Sequence, residues 1–284
     1  MLLVVIPAWN EAATIARVVS DALGTGHAVL VVDDGSTDST SKNALDAGAI
    51  VARLPVNLGV GAALRTGFLY AVEHGYDTVV QCDADGQHPI AQINRLAAAP
   101  QHLSLVIGSR FLDDAHTGSA HDNGSPHDVT SVTGSGGTGP ALAHASATRA
   151  SADSGSLERR RPYEIGKMRR TGIALLSRRL KRRTGLVLTD PTSGFRLLRE
   201  PLLSAFSTEF PATYLSDTFE AVQLAADLVG PDGIAEVAVT MRSRQGGVPS
   251  ESSLSSAVFM ARTLLVTNRL ITPRKCRLET GPTR

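Results

Sequence analysis

This sequence has few cysteines, few aromatic residues and almost no net charge. The small number of cysteines and the low net charge each argue against particular classes of protein. The 284 residues include two cysteines, Cys82 and Cys276, which form neither a disulfide framework nor a CxxC metal pair. A reducing, cytoplasmic compartment is therefore expected. The formal net charge is +1, so the overall charge gives no reason to expect a polyanionic partner.

Long apolar runs are also missing. The opening run, residues 1–6, stops at Pro7 and carries no basic residues before it, so we expect a buried strand there and neither a signal peptide nor a membrane span. Apolar residues make up 42% and charged residues 19% of the chain, with a mean hydropathy of +0.01. These values are typical of a globular protein and exclude an integral membrane protein.

Short β-branched runs alternate with stretches of helical period from residue 1 to about residue 112. The clearest predicted helix is 12–23, in which the apolar residues Ile15, Val18, Val19 and Ala22 share one face. Such alternation is typical of a doubly wound, mostly parallel α/β sheet with helices on both faces. The predicted strands are Leu2 to Ile6, Ala28 to Asp33, Ala49 to Leu54, Thr78 to Cys82 and Leu103 to Gly108.

Two later stretches have a different character. Residues 116–156 are dominated by Gly, Ser, Thr, Ala and His, so we expect a disordered insert that is either a solvated loop or a mobile flap over a site. The last 30 or so residues predict an amphipathic helix, interrupted by Arg262 and Arg269. Docking on the core and binding in a membrane interface are both open for this helix.

Positive charge is concentrated between Arg159 and Arg183. This segment has eleven basic residues and one acid, Glu164, which gives it a net charge of +10 on a body of −9. Clustering of this strength favours an anionic surface or ligand, such as lipid headgroups or a phosphorylated substrate. We expect no nucleic acid, because no aromatic residues alternate with the basic ones.

Acidic residues follow three of the predicted strands at the point where each strand ends. Glu11 follows the first strand, Asp33 and Asp34 end the second, and Asp83 and Asp85 follow the fourth. One such cluster alone would be explained as a turn or a helix cap. Three clusters at strand ends indicate a ligand crevice, because the carboxyl ends of the strands form the crevice of an open α/β sheet.

The pair Asp83-x-Asp85 predicts a site for Mg²⁺ or Mn²⁺. These ions prefer oxygen ligands and are commonly held by one or two carboxylates together with substrate phosphates, so a diphosphate ligand is implied. A calcium loop is excluded, because Gly86 and Asn94 stand at positions 4 and 12 instead of Gly at 6 and Glu at 12. A dinucleotide motif is also disfavoured, because Leu64 replaces the third glycine after Gly59 and Gly61.

Seven short motifs follow one another along the chain: Ile6 to Glu11, Val32 to Asp38, Asn57 to Ala63, Asp83 to Pro89, Gly108 to Arg110, Asp190 to Arg196, and Glu236 with Val237. In this order they resemble family 2 glycosyltransferases, and within that family most closely the polyprenyl-phosphate glycosyltransferases of the dolichyl-phosphate mannose synthase group. The resemblance covers about residues 2–112 and 165–250.

The resemblance implies a single-domain GT-A fold and inverting transfer of a hexose from a GDP-mannose or UDP-glucose type donor to a polyprenyl phosphate. It also implies a Mg²⁺ or Mn²⁺ cofactor. With such an acceptor, the basic segment and the C-terminal helix would hold the protein at the lipid, so we expect a peripheral position at the cytoplasmic face of the membrane. The chain then divides into a donor-binding half at 1–112, the insert at 113–158, an acceptor-side half at 159–250, and the C-terminal helix and tail at 251–284.

By the same resemblance, specific residues take roles in the site. Trp9 stands where a tyrosine is usual. The donor would be bound by Pro7, Trp9, Glu11, Asp33, Asp34, Asp83, Gln87 and Arg244, the metal by Asp83, Asp85 and Gln87, and the acceptor by Arg110, Arg169, Arg170 and Ser193. The residues expected to take part in catalysis are Asp83, Asp85, Arg110, Asp190 and Asp217.

Other interpretations remain open at this stage. A phosphate acceptor needs no strong base, whereas a saccharide hydroxyl does, with Asp217 as the candidate. Asp217 could equally cap a helix together with Glu220, and Asp190 could be a turn residue or an acceptor ligand. A non-catalytic protein that binds nucleotide sugars is a further alternative. A nucleotidyltransferase is disfavoured, because residues 7–11 are not a glycine-rich loop ending in Arg.

Overall fold

The computed structural model describes residues 1–112, 167–211 and 218–241, with the side chains of 167–170 left out of the description. Its elements alternate along the chain. The strands are β1 (Leu2–Ala8), β2 (Ala28–Asp33), β3 (Ile50–Arg53), β4 (Thr78–Gln81), β5 (Leu105–Ser109), β6 (Arg196–Arg199) and β7 (Ile234–Ala238). The α-helices are α1 (Ile15–Leu23), α2 (Thr40–Asp46), α3 (Val60–Glu73), α4 (Ile93–Ala97), α5 (Lys167–Thr184), α6 (Leu202–Glu209) and α7 (Phe219–Val229).

The strands form one seven-stranded sheet in the order β3-β2-β1-β4-β6-β5-β7. All its pairs are parallel except those of β6, which lies antiparallel to both β4 and β5. The five predicted strands are all present; the bounds of β2 match the prediction, and those of the other four differ by at most two residues. The prediction of a mostly parallel α/β sheet is therefore confirmed, whereas the antiparallel β6 and the parallel β7 are strands that the sequence analysis did not predict.

Both faces of the sheet are covered, as the alternating side chains of β1 illustrate. Leu3 and Val5 point into the cluster formed with α3, α5, α6 and α7, whereas Val4 and Ile6 point into the cluster formed with α1 and α4. At Gly67 a Cβ would lie 2.4 Å from Cγ1 of Val5. The missing side chain thus lets α3 lie close to the central strand.

The topology brings the carboxyl ends of β2, β1 and β4 side by side at one edge of the sheet, because these strands are parallel neighbours. The loop after β2 turns sharply at Gly35, where φ is +71° and a Cβ would lie 2.6 Å from the backbone of Val56. The predicted crevice residues Glu11, Asp34 and Asp83 follow these three ends. These predicted residues therefore lie at the edge of the sheet where the sequence predicts the site.

The predictions for the insert at 113–158 and the C-terminal helix at 251–284 fall on residues outside the described ranges. The division into a donor-binding and an acceptor-side half also remains a prediction. Within residues 1–112, 167–211 and 218–241, no helix has both the length and the hydropathy needed to cross a bilayer.

Candidate active site

The loop after β1 is fastened to the loop after β2. The backbone N–H of Asn10 donates to Oγ of Ser36 at 2.9 Å, and Oδ1 of Asn10 accepts the N–H of Thr37 at 2.9 Å. Asn10 adopts φ of +55° to make these contacts. Trp9, the predicted base-binding residue, is 54% exposed beside this junction, whereas Pro7 is buried in β1.

Glu11 lies at the same junction. Its backbone N–H donates to Oγ1 of Thr40 at 2.8 Å, and its carboxylate accepts the hydroxyl of Thr14 at 2.9 Å. The Glu11 carboxylate is therefore held at the end of β1 by the first turn leading into α1.

The two buried carboxylates at the end of β2 bind the surrounding loops. Asp33 accepts the backbone N–H of Ser36 at 2.8 Å and the hydroxyl of Ser41. Asp34, which is 3% exposed, accepts the N–H groups of Leu58 at 2.7 Å and Gly59 at 2.8 Å, one with each oxygen. These two predicted donor ligands thus also fix the backbone that would surround a nucleotide.

Asp83 and Asp85 stand on the turn that follows β4. The backbone N–H of Asp83 donates to Nδ1 of His88 at 2.8 Å, and Nε2 of His88 lies 3.3 Å from Oδ2 of Asp83. Burial lowers the pKa of His88 to about 4, so at neutral pH the ring is uncharged, with its proton on Nε2 facing the carboxylate. Oδ1 of Asp85 accepts the N–H of Gln87 at 2.9 Å.

The donor set at this turn fits a hard divalent cation. In residues 1–112, 167–211 and 218–241, no group of three or more His, Cys, Asp or Glu residues could hold a metal. Mg²⁺ is usually held by one or two carboxylates plus substrate phosphate oxygens, and the half-exposed carboxylates of Asp83 and Asp85 match that chemistry. A Cβ at Gly194 would lie 3.4 Å from both carboxylate oxygens of Asp83, so Gly194 keeps open the space beside that carboxylate.

The acceptor-side residues Arg110 and Asp190 form a bidentate ion pair. Nε of Arg110 lies 2.6 Å from Oδ2 of Asp190, and Nη2 lies 2.8 Å from Oδ1. The Asp190 side chain is 0% exposed and that of Arg110 is 11% exposed. Oγ1 of Thr192 also accepts from Nη2 of Arg110 at 3.3 Å. Asp190 stands at a turn, since the N–H of Ser193 donates to its carbonyl oxygen at 3.2 Å, and its carboxylate also orients the guanidinium of Arg110. Its role as an acceptor ligand stays a prediction.

Sequence reasoning did not assign a site role to Glu236, which lies on β7. Its carboxylate is buried and accepts the N–H of Thr189 at 2.7 Å, the hydroxyl of Thr189 at 3.0 Å and the N–H of Asp190 at 2.7 Å. Burial raises the pKa of Glu236, against the effect of these three donors. The available signal was a charged residue in the otherwise apolar run Ile234–Ala238.

The loop from Asp190 to Arg196 is held by its own buried arginine. Arg196, 2% exposed, donates to the carbonyl oxygens of Ser193 at 2.7 Å, Pro191 at 3.2 Å and Thr218 at 3.1 Å. Ser193, a predicted acceptor ligand, is buried and its Oγ accepts the N–H of Phe195 at 3.3 Å. This arginine sets the path of the loop that passes Asp83.

Four predicted site residues have side chains outside the described part of the chain, so their roles stay predictions. Asp217 and Arg244 lie outside the described residues, and Arg169 and Arg170 belong to the first turn of α5, where only the backbone is described. The rest of the basic segment on this helix is visible. Its exposed side chains include Arg178, Lys181 and Arg182.

A seven-stranded, mostly parallel α/β sheet with carboxylates after the ends of β1, β2 and β4 is the arrangement expected of a GT-A-like fold. Residues 3–205 match the family model described as glycosyl transferase family 2. This match covers more than half of the chain, so the protein belongs to glycosyl transferase family 2, and the family predicted from the sequence motifs is confirmed.

Curated relatives agree with this membership. An undecaprenyl-phosphate mannosyltransferase from Micrococcus luteus is 38% identical over 117 residues, which cover 38% of this chain and 48% of that protein. A polyprenol monophosphomannose synthase from Mycolicibacterium smegmatis is 35% identical over 120 residues, which cover 39% of this chain and 45% of that protein. The chain thus spans about half the length of the curated relatives it matches.

Solved structures support the fold. Glucosyl-3-phosphoglycerate synthase from Mycobacterium tuberculosis, crystallised with phosphoglyceric acid, aligns with a TM-score of 0.59 at 22% identity over 94% of this chain and 78% of that chain. The same enzyme crystallised with Mn²⁺ and UDP-glucose aligns with a TM-score of 0.58 at 22% identity, over 94% of this chain and 77% of that chain. These matches confirm the GT-A-like fold.

Proposed function

We propose that this protein is an inverting, metal-dependent glycosyltransferase that moves a hexose from a nucleoside diphosphate sugar, of the GDP-mannose or UDP-glucose type, to a polyprenyl phosphate. One observation carries the proposal. The loop Asp190 to Arg196 passes the carboxylate of Asp83 so closely that a Cβ at Gly194 would lie 3.4 Å from both its oxygens. This proximity of a proposed donor-side carboxylate to the proposed acceptor-side loop supports a single site for both substrates.

The proposed binding of the sugar-nucleotide donor is argued from the residues at the ends of β1, β2 and β4. Trp9 offers an exposed aromatic face, and Asp34, at the end of the neighbouring strand β2, holds the loop at Leu58 and Gly59 in place. When bound by Asp83 and Asp85, a divalent cation would stabilise the negative charge that develops on the departing nucleoside diphosphate. His88 orients the Asp83 carboxylate without adding charge.

The acceptor half centres on Arg110. A guanidinium binds phosphate oxygens at fixed angles, and Asp190 fixes the orientation of this one. In the proposed step, an acceptor phosphate oxygen forms a bond to the anomeric carbon while the bond from that carbon to the diphosphate oxygen breaks and its electron pair leaves with the diphosphate. A phosphate oxygen is already anionic, so the step needs no strong general base.

A lipid acceptor lies in a membrane, and the exposed basic side chains of α5 would favour binding to an anionic membrane surface. Arg178, Lys181 and Arg182 are exposed on this helix, together with the apolar Leu175. A basic residue near an anionic membrane surface contributes about 1 kcal/mol of binding energy. We therefore propose a peripheral position at the cytoplasmic face of a membrane.

The test is a transfer assay with purified protein, Mn²⁺, a radiolabelled sugar nucleotide and a short polyprenyl phosphate. We expect labelled lipid in the organic phase with at least one donor. Asp85→Asn should lower the rate at least about a thousandfold, because it removes a ligand charge where the leaving group is stabilised. Asp46→Asn is the matched control, since Asp46 is exposed and pairs only with Lys42 in the contacts described.

Two outcomes contradict the proposal in different ways. Absence of transfer with every donor and acceptor would reject the activity. Transfer to a saccharide hydroxyl but not to polyprenyl phosphate would reject the acceptor, and in that case Asp217→Asn should abolish the rate. With a phosphate acceptor, Asp217→Asn should change the rate little, because no proton needs to be removed.

A further inference from the structure

A buried carboxylate on β7, that of Glu236, contacts the backbone where the loop Asp190 to Arg196 begins. Glu236 belongs to β7, where it pairs with Ile107 of β5, and its side chain is 6% exposed. The other residues of the strand, Ile234, Ala235, Val237 and Ala238, are apolar and buried. A buried charge in such a strand is costly unless donors surround it.

The donors that surround Glu236 all come from the start of the acceptor-side loop. Oε2 accepts the N–H of Thr189 at 2.7 Å and its hydroxyl at 3.0 Å, and Oε1 accepts the N–H of Asp190 at 2.7 Å. An ionised carboxylate only accepts hydrogen bonds, so its chemistry matches three converging donors. In addition, the hydroxyl groups of Thr189 and Ser109 are hydrogen-bonded to each other at 2.6 Å. This bond connects the start of the same loop to the end of β5.

The next link runs from the backbone of Asp190 to its side chain. Each oxygen of the Asp190 carboxylate accepts a hydrogen bond from the guanidinium of Arg110, Oδ2 from Nε at 2.6 Å and Oδ1 from Nη2 at 2.8 Å. The backbone N–H of Arg110 points to the same carboxylate at 3.3 Å. The orientation of the guanidinium therefore depends on where the backbone of Asp190 is held, and Glu236 holds that backbone.

We propose that Glu236 is a positioning residue for the acceptor side of the site, because it anchors Thr189 and Asp190 and so fixes the direction in which Arg110 presents its guanidinium. Glu236 does not touch the substrate and acts only through Asp190. This inference rests on the proposed function for its kinetic consequence. Its structural content, the dependence of Arg110 on Glu236, is tested without any turnover.

The turnover-independent test follows the Nε–H proton of Arg110 by NMR on the ¹⁵N-labelled full chain. Arg110→Lys identifies the resonance by removing it. In Glu236→Gln, an amide group replaces one acceptor oxygen and opposes an N–H donor, so we expect exchange of the Arg110 Nε–H with water to become at least about tenfold faster. Glu209→Gln is the control, because Glu209 is exposed at the end of α6.

Thr189→Val supplies a second, milder variant in case Glu236→Gln does not fold. It removes the hydroxyl donor but keeps the side-chain shape and the backbone N–H, and we expect a smaller acceleration in the same direction. Unchanged exchange at Arg110 in both variants, or in Thr189→Val if it alone folds, would overturn the proposal.

The kinetic test separates positioning from general stability. In Glu236→Gln we expect kcat/KM for the polyprenyl phosphate to fall about 10- to 100-fold, while the affinity for the sugar nucleotide stays within about twofold. Arg199 makes its contacts at the opposite edge of the sheet. Arg199→Lys should therefore lower thermal stability without a selective fall in kcat/KM for the polyprenyl phosphate. A loss of stability alone in Glu236→Gln would contradict the positioning role.

Failure of the proposed function gives a different result. If the wild-type protein transfers no sugar to any acceptor, kcat/KM cannot be compared between the wild type and Glu236→Gln. The exchange rate of the Arg110 Nε–H with water still decides whether Glu236 fixes the orientation of that guanidinium. Unaltered transfer in a Glu236→Gln protein with faster exchange would show the contact to exist but not to matter for the reaction, which also overturns the positioning role.

Discussion

His88 contacts Asp83 through both of its ring nitrogens. Nδ1 accepts the backbone N–H of Asp83 at 2.8 Å, and Nε2 lies 3.3 Å from Oδ2 of the same residue. The ring is 5% exposed and lies against Phe195, with 5.3 Å between the ring centroids. His88 therefore fixes both the backbone and the carboxylate of a proposed metal ligand.

Replacing His88 by Phe should weaken metal binding without unfolding the protein. The substitution keeps an aromatic ring against Phe195 and removes both contacts to Asp83. Loss of an outer-shell partner of a metal ligand typically lowers metal affinity about 10- to 100-fold. Calorimetric titration of Mn²⁺ in the presence of UDP or GDP measures this affinity directly.

His102→Phe is the matched control for that titration, because His102 is exposed on a loop at the opposite edge of the sheet. It should leave Mn²⁺ affinity unchanged. Equal Mn²⁺ affinity in His88→Phe and in the wild type would show that His88 does not orient the ligand.

Asp34→Asn should destabilise the loop before α3. Each oxygen of Asp34 accepts one backbone N–H, from Leu58 and from Gly59, and an amide NH₂ in place of either oxygen opposes a donor. Losing one of these partly buried hydrogen bonds costs about 1 kcal/mol. Urea unfolding of Asp34→Asn should show this loss, whereas the exposed Asp46→Asn should not. A stability equal to wild type in both variants would contradict this role.

The position of three acidic residues at one edge of the sheet could be predicted from the sequence. Glu11, Asp34 and Asp83 each follow a strand with an apolar, β-branched pattern, and parallel neighbouring strands place their carboxyl ends together. The local strand pattern alone therefore predicts that these carboxylates lie at one edge of the sheet, and no contact between distant residues has to be known. The bounds of β1 and β5 differ from the prediction by one or two residues, because side-chain patterns do not specify where strand pairing ends.

The antiparallel strand β6 could not be predicted in the same way. Its sequence, Arg-Leu-Leu-Arg, begins and ends with charged residues and has the pattern of an exposed segment. Both arginines are nevertheless buried, because Arg196 and Arg199 donate to backbone carbonyl oxygens of other segments. The pair of Arg110 and Asp190, 80 residues apart, depends on contacts that no local pattern encodes.

Asp38 gives the protein a pH-dependent contribution to stability. Burial by itself would raise the pKa of its carboxyl group, but the hydrogen bonds from Thr40 and Ala12 lower the pKa below 3.8. A carboxyl group with a lowered pKa in the folded state stabilises the fold above its unfolded pKa, and this contribution is lost as the pH falls through the folded pKa.

The difference in unfolding free energy between the wild type and Asp38→Asn should therefore be constant near neutral pH and shrink below about pH 4. Urea unfolding at a series of pH values measures it. The exposed Asp227→Asn should change little over that range, as expected for a surface ion pair, here with Arg183. A difference for Asp38→Asn that grows as the pH falls would contradict the assignment.

Arg199→Lys should lower stability and leave the proposed site intact. Arg199 is 6% exposed and donates from Nη1 to the carbonyl oxygens of Pro100 and Leu103, and from Nη2 to those of Ala97 and Ala99. A lysine ammonium group has three protons and no planar fork, so it cannot serve this set of acceptors.

We expect Arg199→Lys to lose about 1–3 kcal/mol in urea unfolding, since at least one buried carbonyl oxygen loses its donor. Its Mn²⁺ affinity should stay at the wild-type value, because Arg199 pairs with Thr78 at the start of β4, whereas Asp83 follows the end of that strand. Arg65→Lys, on the exposed face of α3, is the control and should change neither quantity. Loss of Mn²⁺ binding in Arg199→Lys would mean that the two edges of the sheet are coupled, and the assignment of Arg199 to stability alone would then be wrong.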